Sequence, residues 1–478
     1  MNHQTASLSS LLHPHTALYT DHYELTMAQG YYLSGMEKVP AVFDYFFRKA
    51  PFGGSYVVFS GLGELLELLE NYRFHPEGLA YLAGLGFNQQ FLNWLEDFRF
   101  QGTVVAMKEG EIVFPYEPSI RIEGSLIETQ LVETLVLNLI NFESLVATKA
   151  ARIREVAGER MLIDFGMRRA HGTGAVQASH AAVIGGFGKT SNVFSAYRYG
   201  LDSTGTMAHS WVQSFDTELR AFQTYADHYP NDCILLVDTY DTLNSGIPNA
   251  IRVGLEMEKK NTKLSGIRLD SGDLAYLSKK ARKMLDMAGL GYVKIYASNQ
   301  LDEHVVASLM EQKAPIDGFG VGTALVTGKG AGALDGVYKL SVINGSPTLK
   351  RSENPVKTTL PGEKTVYRYM DDQGMFQADA IALEGETGYS SIHHPTEAGK
   401  KKNIEGYKRE RLTEKVMENG KILGTLPSPS DIAAYHRSRM EQLSPEHKRL
   451  LYPHLYITGI SPGLLQLKNE LVQSTPSK

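Results

Sequence analysis

Short apolar runs alternate with longer helical segments between residues 160 and 323, and few folds accommodate that order. The runs with strand character are MLIDFG (161–166), CILLVDTYD (233–241), GIRLDSGD (266–273), VKIYASN (293–299) and IDGFGVGT (316–323). The helical segments between several of them are 217–229, 246–260, 274–288 and 302–312. Such alternation is typical of βα units with parallel strands. The sequence therefore predicts an α/β fold.

Polar residues close four of these apolar runs, namely Asp164, Asp238, Asp270 and Asn299. In a β/α barrel the carboxyl ends of the strands converge on one face, which holds the active site. An open doubly wound sheet also gathers polar residues at its strand ends. We expect a barrel, although the pattern alone leaves both folds open.

Strand-like runs also precede this region, at 41–49, 55–66 and 103–126, and predict a mostly antiparallel sheet with added helices. A long helix is predicted over 130–157, because apolar residues recur there at spacings of three and four. We therefore predict an N-terminal α+β sandwich domain (1–135), a β/α barrel catalytic domain (136–340) and a C-terminal segment (341–478). The last segment is expected to return partly to the N-terminal domain.

Composition narrows the function classes. The chain has 478 residues, a net charge of −5 and one cysteine, Cys233. The chain has no excess of basic over acidic residues, which argues against a nucleic-acid binder. A single cysteine excludes an intrachain disulfide. Cys233 lies in an apolar run and is expected to be buried. No signal peptide or membrane span is evident in the sequence, so we predict a cytoplasmic protein.

Two motifs suit phosphate and sugar ligands. In GFGVGT (318–323) the glycines let backbone N–H groups approach an anion, and Thr323 adds a hydroxyl donor. IRLDSGDL (267–274) groups Arg268, Asp270, Ser271 and Asp273. Arginine binds phosphate or carboxylate with two parallel hydrogen bonds, and paired carboxylates suit ribose or magnesium. Both motifs also have a purely structural explanation. The glycines of GFGVGT suit a turn, and the residues of IRLDSGDL suit an Arg–Asp ion pair with a helix cap.

Two further motifs are less specific. DFGMRRAHG (164–172) offers Arg168 and Arg169 as a polyphosphate clamp and Phe165 as a stacking ring, although Phe165 also suits a core. In TDHYELTMAQGYY (20–32), Thr20 or Asp21 is expected to cap a helix. That role leaves Tyr23 unexplained.

His209 lies in STGTMAHSWVQS (203–214), among small and polar residues. A neutral imidazole is a good nucleophile and base near pH 7. Small neighbours leave room for a bulky group such as a phosphoryl group. A histidine held in place by hydrogen bonds is the alternative.

Taken together, these stretches resemble nicotinate phosphoribosyltransferase. The resemblance runs from Thr20 to about Pro361, and the motifs TDHYELTMAQGYY, DFGMRRAHG, STGTMAHS, VDTYDTL, GIRLDSGDL and GVGTALVT follow the family's order. It implies the type II phosphoribosyltransferase fold, an irregular β/α barrel with an open-faced N-terminal sandwich domain. It also implies synthesis of nicotinate mononucleotide and pyrophosphate from nicotinate and phosphoribosyl pyrophosphate, with Mg²⁺, in NAD salvage. The resemblance further implies that ATP hydrolysis is coupled through a transient phosphohistidine, which would give a ligase-type classification.

The resemblance also implies roles for individual residues. His209 would be the phosphorylated residue. Arg268 and Arg168 would bind phosphates or the nicotinate carboxylate, and Thr206 would contact nicotinate. Asp238 and Asp270 would lie near ribose and metal, with Ser271 beside them at the substrate. His209, Asp270 and Arg268 are the predicted catalytic residues.

For the remaining positions, the resemblance implies that Gly320, Gly322 and Thr323 cradle the 5′-phosphate. Phe165 and Tyr23 would hold the pyridine ring, with Tyr23 supplied by a second subunit. A homodimer with shared active sites follows from that expectation.

Three alternatives stay open. Nicotinamide phosphoribosyltransferase carries an aspartate where this chain has Ser191, and the missing aspartate favours nicotinate over nicotinamide. A barrel acting on another sugar phosphate would need a strand-end base, for which Lys294 is the candidate. A non-catalytic ligand-binding protein that keeps the fold is the third possibility.

Overall fold

The structure, a computed structural model, describes residues 15–352, 357–397 and 399–474, and these form two compact units. Unit 2 consists of Lys149–Gly332, and unit 1 contains the chain up to Thr148 and from Ala333 onward. The division falls inside the helix Glu133–Ala157. Unit 2 carries the βα region of the sequence.

Unit 2 is built on a six-stranded sheet in which all neighbouring strands are parallel. In chain order its strands are β1 (Met161–Asp164), β2 (Lys189–Thr190), β3 (Ile234–Leu236), β4 (Gly266–Leu269), β5 (Lys294–Ala297) and β6 (Gly318–Val321). Their spatial order is β2-β1-β6-β5-β4-β3. Five of these strands are those expected from the apolar runs. β2 was not predicted, because two residues are too short to form a pattern.

Helices alternate with these strands, four of them over the predicted segments 217–229, 246–260, 274–288 and 302–312 and the others not predicted. They are Gly174–Ile184, Val193–Tyr199, His209–Gln213, Glu218–His228, Ile247–Lys259, Leu274–Met287, Glu303–Glu311 and Thr323–Val326. Four begin at a polar cap: the side chains of Asn192, Thr217, Asp273 and Asp302 each accept a backbone N–H of the first turn. Cys233 is fully buried just before β3, which confirms its expected packing role.

Unit 1 contains two larger sheets. The seven-stranded sheet is antiparallel and runs in space through Ser346–Pro347, Gly336–Ile343, Pro40–Phe47, Ile120–Ser125, Thr103–Met107, Thr413–Glu418 and Lys421–Ile422. The six-stranded sheet runs through Lys401–Asn403, Ser391–His393, Thr458–Ile460, Phe376–Leu383, Lys364–Met370 and Lys408–Arg411. A short pair joins Val57–Val58 to Ile112–Val113. The residues beyond 400, which the sequence left uninterpreted, therefore belong to both sheets.

The helices of unit 1 flank these sheets. They are His22–Leu33, Leu62–Glu70, Pro76–Gly84, Gln89–Glu96, Leu126–Leu131, Pro429–Gln442, Pro445–Lys448 and Pro462–Ser474, with the first part of Glu133–Ala157. Asp21 is at the N-cap of the first helix, as expected, but its side chain makes no capping hydrogen bond. Its carboxylate accepts the Thr134 hydroxyl at 2.8 Å instead. The expected cap position is therefore confirmed at Asp21, without a side-chain capping hydrogen bond.

One stretch, Leu126–Ala157, is long and apolar enough to cross a membrane by length and composition. Its most apolar window is 67% buried inside the protein. Leu135, Val136 and Leu139 are each 0% exposed. This stretch is therefore buried in the way that a core helix is, because a membrane span would expose these side chains to lipid.

Candidate active site

The candidate site lies at one edge of the sheet of unit 2. β1, β6, β5, β4 and β3 are consecutive neighbours, so their carboxyl ends share an edge. The residues at or just after these ends are Asp164, Gly322, Ser298, Asp270 and Asp238. In β/α folds this edge is where ligands bind.

Asp164 holds the local backbone together. Its Oδ1 accepts the Gly166 backbone N–H at 2.8 Å, and its Oδ2 accepts the hydroxyls of Ser179 at 2.7 Å and Thr190 at 2.8 Å. The residue is 1% exposed. Burial raises the pKa of Asp164 against the opposing effect of these hydrogen bonds. Because its acceptor sites are occupied, Asp164 shapes the turn after β1 rather than binding a ligand.

Asp238 and Asp270 are joined at the ends of β3 and β4. Asp238 Oδ2 accepts the Asp270 backbone N–H at 2.9 Å and the Ser271 hydroxyl at 2.5 Å. Asp238 Oδ1 is buried and has no hydrogen-bond partner among the described residues. A buried acceptor without a partner costs free energy, which a ligand or water would recover. This pair of carboxylates is therefore a candidate ligand site.

His209 begins the short helix His209–Gln213 and reaches the same strand ends. Its Nδ1 lies 3.1 Å from Thr239 Oγ1, which is one residue beyond Asp238. Its Nε2 lies 3.8 Å from Asp270 Oδ2, longer than a hydrogen bond. The imidazole is 41% exposed, so it combines a fixed ring orientation with access from outside.

Arg268 is a mostly buried cation on β4. Its Nη1 donates to Thr206 Oγ1, and its guanidinium carbon lies 5.9 Å from the centre of the Phe165 ring. Its Nε is buried without a hydrogen-bond partner among the described residues. Burial lowers the pKa of Arg268, while Asp270 and Asp238 raise it, and arginine stays charged at neutral pH. The guanidinium is therefore available to an anionic ligand.

The glycines of GFGVGT have a packing reason. A Cβ added at Gly320 would lie 2.3 Å from Cδ2 of the Phe165 ring, and one at Gly322 would lie 3.1 Å from the Phe165 carbonyl oxygen. Only glycine lets the strand pass this close to Phe165. The expected phosphate role of Gly320 and Gly322 stays a prediction beside this structural one.

Other predicted residues are less constrained. Arg168 belongs to a short 3-10 helix, Met167–Arg169, and is exposed. Thr323 is exposed at the start of the helix after β6. Ser191 donates its backbone N–H to the Asp164 carbonyl at 2.8 Å. Tyr23 belongs to unit 1, where it is 46% exposed in the first turn of its helix.

Two hydroxyl groups at this edge were not predicted from the sequence. Thr239 contacts His209, and Ser298 donates its hydroxyl to Asp270 Oδ1. Serine and threonine are common in turns, so neither residue type is a signal alone. Their positions, directly after a strand-end aspartate and directly before Asn299, were the available clue.

Lys294 lies at the opposite end of its strand from the candidate site. It is the first residue of β5, and its Nζ lies 3.3 Å from Asp317 Oδ1. The amino end of a strand faces away from the carboxyl edge, so Lys294 gives no support to a base-catalysed sugar-phosphate reaction there.

Solved structures with the same fold define the class. The human nicotinic acid phosphoribosyltransferase structure is 31% identical, with a TM-score of 0.84 over 95% of this chain and 99% of that chain. The nicotinate-nucleotide pyrophosphorylase structure from Pyrococcus furiosus is 25% identical, with a TM-score of 0.71 over 90% and 97%. Fold and strand-edge site together define a type II phosphoribosyltransferase, which confirms the predicted fold class.

Sequence comparisons identify the family within that class. Family profiles for the nicotinate phosphoribosyltransferase N-terminal domain, family and C-terminal domain match residues 18–141, 161–379 and 363–468. The Bacillus subtilis nicotinate phosphoribosyltransferase is 42% identical over 97% of this chain and 96% of its own length. The chain belongs to the nicotinate phosphoribosyltransferase family and is an enzyme of that kind.

Proposed function

We propose that this enzyme makes nicotinate mononucleotide and pyrophosphate from nicotinate and phosphoribosyl pyrophosphate, as an entry to NAD. We propose further that ATP hydrolysis is coupled to the transfer through phosphorylation of His209. The observation that supports both is the position of His209, 3.8 Å from Asp270 at the edge that also carries Arg268 and Asp238. A nucleophile, an anion binder and two carboxylates then serve one reaction centre.

In the transfer step, the pyridine nitrogen of nicotinate attacks the anomeric carbon of the ribose. The bond from that carbon to the pyrophosphate oxygen breaks, and its electron pair leaves with pyrophosphate. Arg268 and Arg168 supply positive charge for the nicotinate carboxylate and the phosphates. Arg268 is fixed by Thr206 and lies over Phe165, so ring and carboxylate are bound by one assembly. Holding the weak nucleophile in line supplies much of the rate.

Asp238 and Asp270 are the residues that suit Mg²⁺. Carboxylate oxygens are its preferred protein ligands, and Asp238 Oδ1 is buried without a partner among the described residues. Magnesium, when bound, neutralises charge on the departing pyrophosphate. Ser271 orients Asp238 through its 2.5 Å hydrogen bond and is proposed to face the substrate.

The 5′-phosphate is proposed to bind after β6. Gly320, Gly322 and Thr323 lie at the end of this strand, between the ends of β1 and β5. Backbone N–H groups and the exposed Thr323 hydroxyl are suitable donors for phosphate oxygens. The binding site for the sugar phosphate would thus adjoin that for nicotinate.

In the ATP step, a ring nitrogen of His209 attacks the γ-phosphorus. An N–P bond forms, the bond from the γ-phosphorus to the bridging oxygen breaks, and ADP leaves. Water later attacks the phosphoryl group, which releases inorganic phosphate and a proton and restores the imidazole. Thr239 holds Nδ1 and thereby orients the ring for attack.

We also propose a homodimer in the cytoplasm, with Tyr23 contributed to the partner's site against the pyridine ring. Support comes from the exposure of Tyr23, together with Met27 at 37% and Leu33 at 53% on the same helix. Exposed apolar side chains grouped on one helix are typical of an interface.

The test is a product assay with phosphoribosyl pyrophosphate and magnesium, offering nicotinate and nicotinamide separately, each with and without ATP. Nicotinate mononucleotide from nicotinate, increased by ATP, is the expected result. Product from nicotinamide alone would overturn the substrate assignment, which depends on Ser191. No product from either substrate would favour a non-catalytic ligand-binding protein.

A further inference from the structure

Ser298 has no role in the mechanism above, yet it lies at the carboxyl edge of the sheet of unit 2, where the candidate site is. It directly follows β5 and is 4% exposed. Its backbone N–H donates to the Leu269 carbonyl at 2.9 Å, and its hydroxyl donates to Asp270 Oδ1. Main chain and side chain of Ser298 thus both bind the end of the neighbouring strand, β4.

The hydrogen bond from Ser298 gives the two carboxylate oxygens of Asp270 different surroundings. Oδ1 accepts the Ser298 hydroxyl, which leaves Oδ2 as the oxygen 3.8 Å from His209 Nε2. The aspartate side-chain torsion is broad and roughly two-fold, so an unheld carboxylate rotates readily. The Asp270 side chain is 30% exposed, and the Ser298 hydroxyl supplies its one side-chain hydrogen bond among the described residues. A single hydroxyl therefore decides which way the carboxylate faces.

The backbone after Ser298 has an unusual conformation. Asn299 has φ 91° and Gln300 has φ 41°, two successive left-handed residues without a glycine. Side-chain-bearing residues in this region carry conformational strain, which persists only where surrounding contacts fix it. Ser298 is the buried residue immediately before that turn, so its contacts with β4 fix where the turn begins.

We propose that Ser298 is a positioning residue for the phosphoryl-transfer half of the reaction, acting through Asp270 on His209. The proposal rests on the proposed function above. Ser298 need not touch nicotinate or ribose. Its hydroxyl keeps Asp270 Oδ2 facing the imidazole, and at 3.8 Å the carboxylate acts on the ring through its charge rather than through a hydrogen bond.

The experiment compares Ser298→Ala with the wild-type enzyme in two assays on the full chain. The first measures kcat and KM for nicotinate with ATP, and the second measures transfer without ATP. We expect the ATP-dependent increase in kcat to fall about tenfold and the KM for nicotinate to change less than about twofold, with a smaller fall in the ATP-independent rate because Asp270 is also proposed to bind Mg²⁺. A purely structural role would instead lower the rates with and without ATP by the same factor.

Two other variants complete the test. Ser278 is also a fully buried serine of unit 2, and its hydroxyl donates to the Ala275 carbonyl at 3.1 Å within a helix. Ser278→Ala should therefore leave both rates unchanged. Ser298→Thr keeps the hydroxyl and should recover ATP stimulation, provided that thermal melting shows a wild-type fold.

Each result has one meaning. Unchanged ATP stimulation in Ser298→Ala would overturn the positioning role, and so would a threonine variant that folds normally but stays as impaired as alanine. If the wild-type enzyme forms product but ignores ATP, the coupling itself fails, and this is visible before any variant is made. If Ser298→Ala does not fold, the threonine variant alone decides the matter.

Discussion

His209 is held at Nδ1 and has a carboxylate near Nε2, and this arrangement separates two activities that the enzyme is proposed to combine. Thr239 is 3.1 Å from Nδ1, and Asp270 is 3.8 Å from Nε2. Neither contact involves Arg268 or Phe165, the residues proposed for nicotinate. The proposed phosphoryl chemistry and the proposed pyridine binding would therefore depend on different side chains at one edge.

The first prediction concerns His209→Ala. We expect the variant to lose ATP hydrolysis and ATP stimulation but to keep part of its ATP-independent transfer, because the nicotinate and ribose contacts remain. Product formation with and without ATP, and phosphoprotein labelling by γ-labelled ATP, are the measurements. ATP stimulation that survives in this variant would contradict the proposed phosphohistidine.

The second prediction concerns Gly320→Ala. The new methyl group would lie 2.3 Å from the Phe165 ring, which must then shift. Overpacking of this kind costs about 1–3 kcal/mol of stability. We expect that loss in urea unfolding together with a raised KM for nicotinate.

Gly332 is the matched control for this substitution, because an added Cβ there has no neighbour within 4 Å. Gly332→Ala should leave both the stability and the KM close to wild type. Normal nicotinate KM in Gly320→Ala would show that Phe165 does not contact the ring.

At the scale of the element, sequence pattern was most informative where apolar runs were long. The five strands β1 and β3–β6 follow the prediction within a few residues, and so do the helices Glu218–His228, Ile247–Lys259, Leu274–Met287 and Glu303–Glu311. The two-residue β2 lies below the length at which a period can be recognised. Thr239 and Ser298 were missed for another reason. Their function depends on neighbouring strand ends, which a linear pattern does not bring together.

A buried ion pair connects two helices of unit 2 and supports a third prediction. Lys149 Nζ donates to both carboxylate oxygens of Glu303 at 2.8 Å, and Arg152 Nε lies 3.2 Å from one of them. Lys149→Met leaves the carboxylate buried with one cation fewer. We expect a loss of about 3–5 kcal/mol in the free energy of unfolding, measured with urea.

Lys260 provides the control, since its 2.7 Å pair with Asp227 is exposed at 64% and 57%. Lys260→Met should cost less than about 1 kcal/mol. Equal losses in the two variants would show that burial of the Lys149 pair does not matter.

The same pair predicts a pH dependence. Burial opposes ionisation of Glu303, but the hydrogen bonds and charge of Lys149 outweigh it, so the pKa of Glu303 lies below its ordinary value. A lowered carboxyl pKa adds stability above the unfolded pKa of about 4.3, and this is lost as pH falls through the folded pKa. The deficit of Lys149→Met should therefore shrink in acid. A deficit constant from pH 7 to the acid limit would contradict this account.

At the scale of the whole molecule, the proposed dimer makes a prediction about mixtures. Tyr23→Ala and Asp270→Asn should each abolish activity alone, one through each contributing subunit. When the two variants are unfolded and refolded together, random pairing should restore about a quarter of the wild-type sites. Refolded mixtures assayed for nicotinate mononucleotide provide the measurement.

Asp238→Asn mixed with Asp270→Asn is the control, because both changes affect unit 2 and every site keeps one defect. No recovery is expected there. Absence of recovery in the first mixture as well would place Tyr23 outside the partner's site.

The seven-stranded sheet of unit 1 also has a consequence for synthesis on the ribosome. Thr103–Met107 pairs with Thr413–Glu418, which leaves the ribosome roughly 300 residues later. At about 5–20 residues per second, that edge waits some 15–60 s for its neighbour. Unpaired strand edges are templates for aggregation, whereas the sheet of unit 2 needs only contiguous chain. We therefore expect the sheet of unit 2 to form on the nascent chain before the seven-stranded sheet of unit 1 is complete. The strands made first are then the ones that most need protection from aggregation by a chaperone.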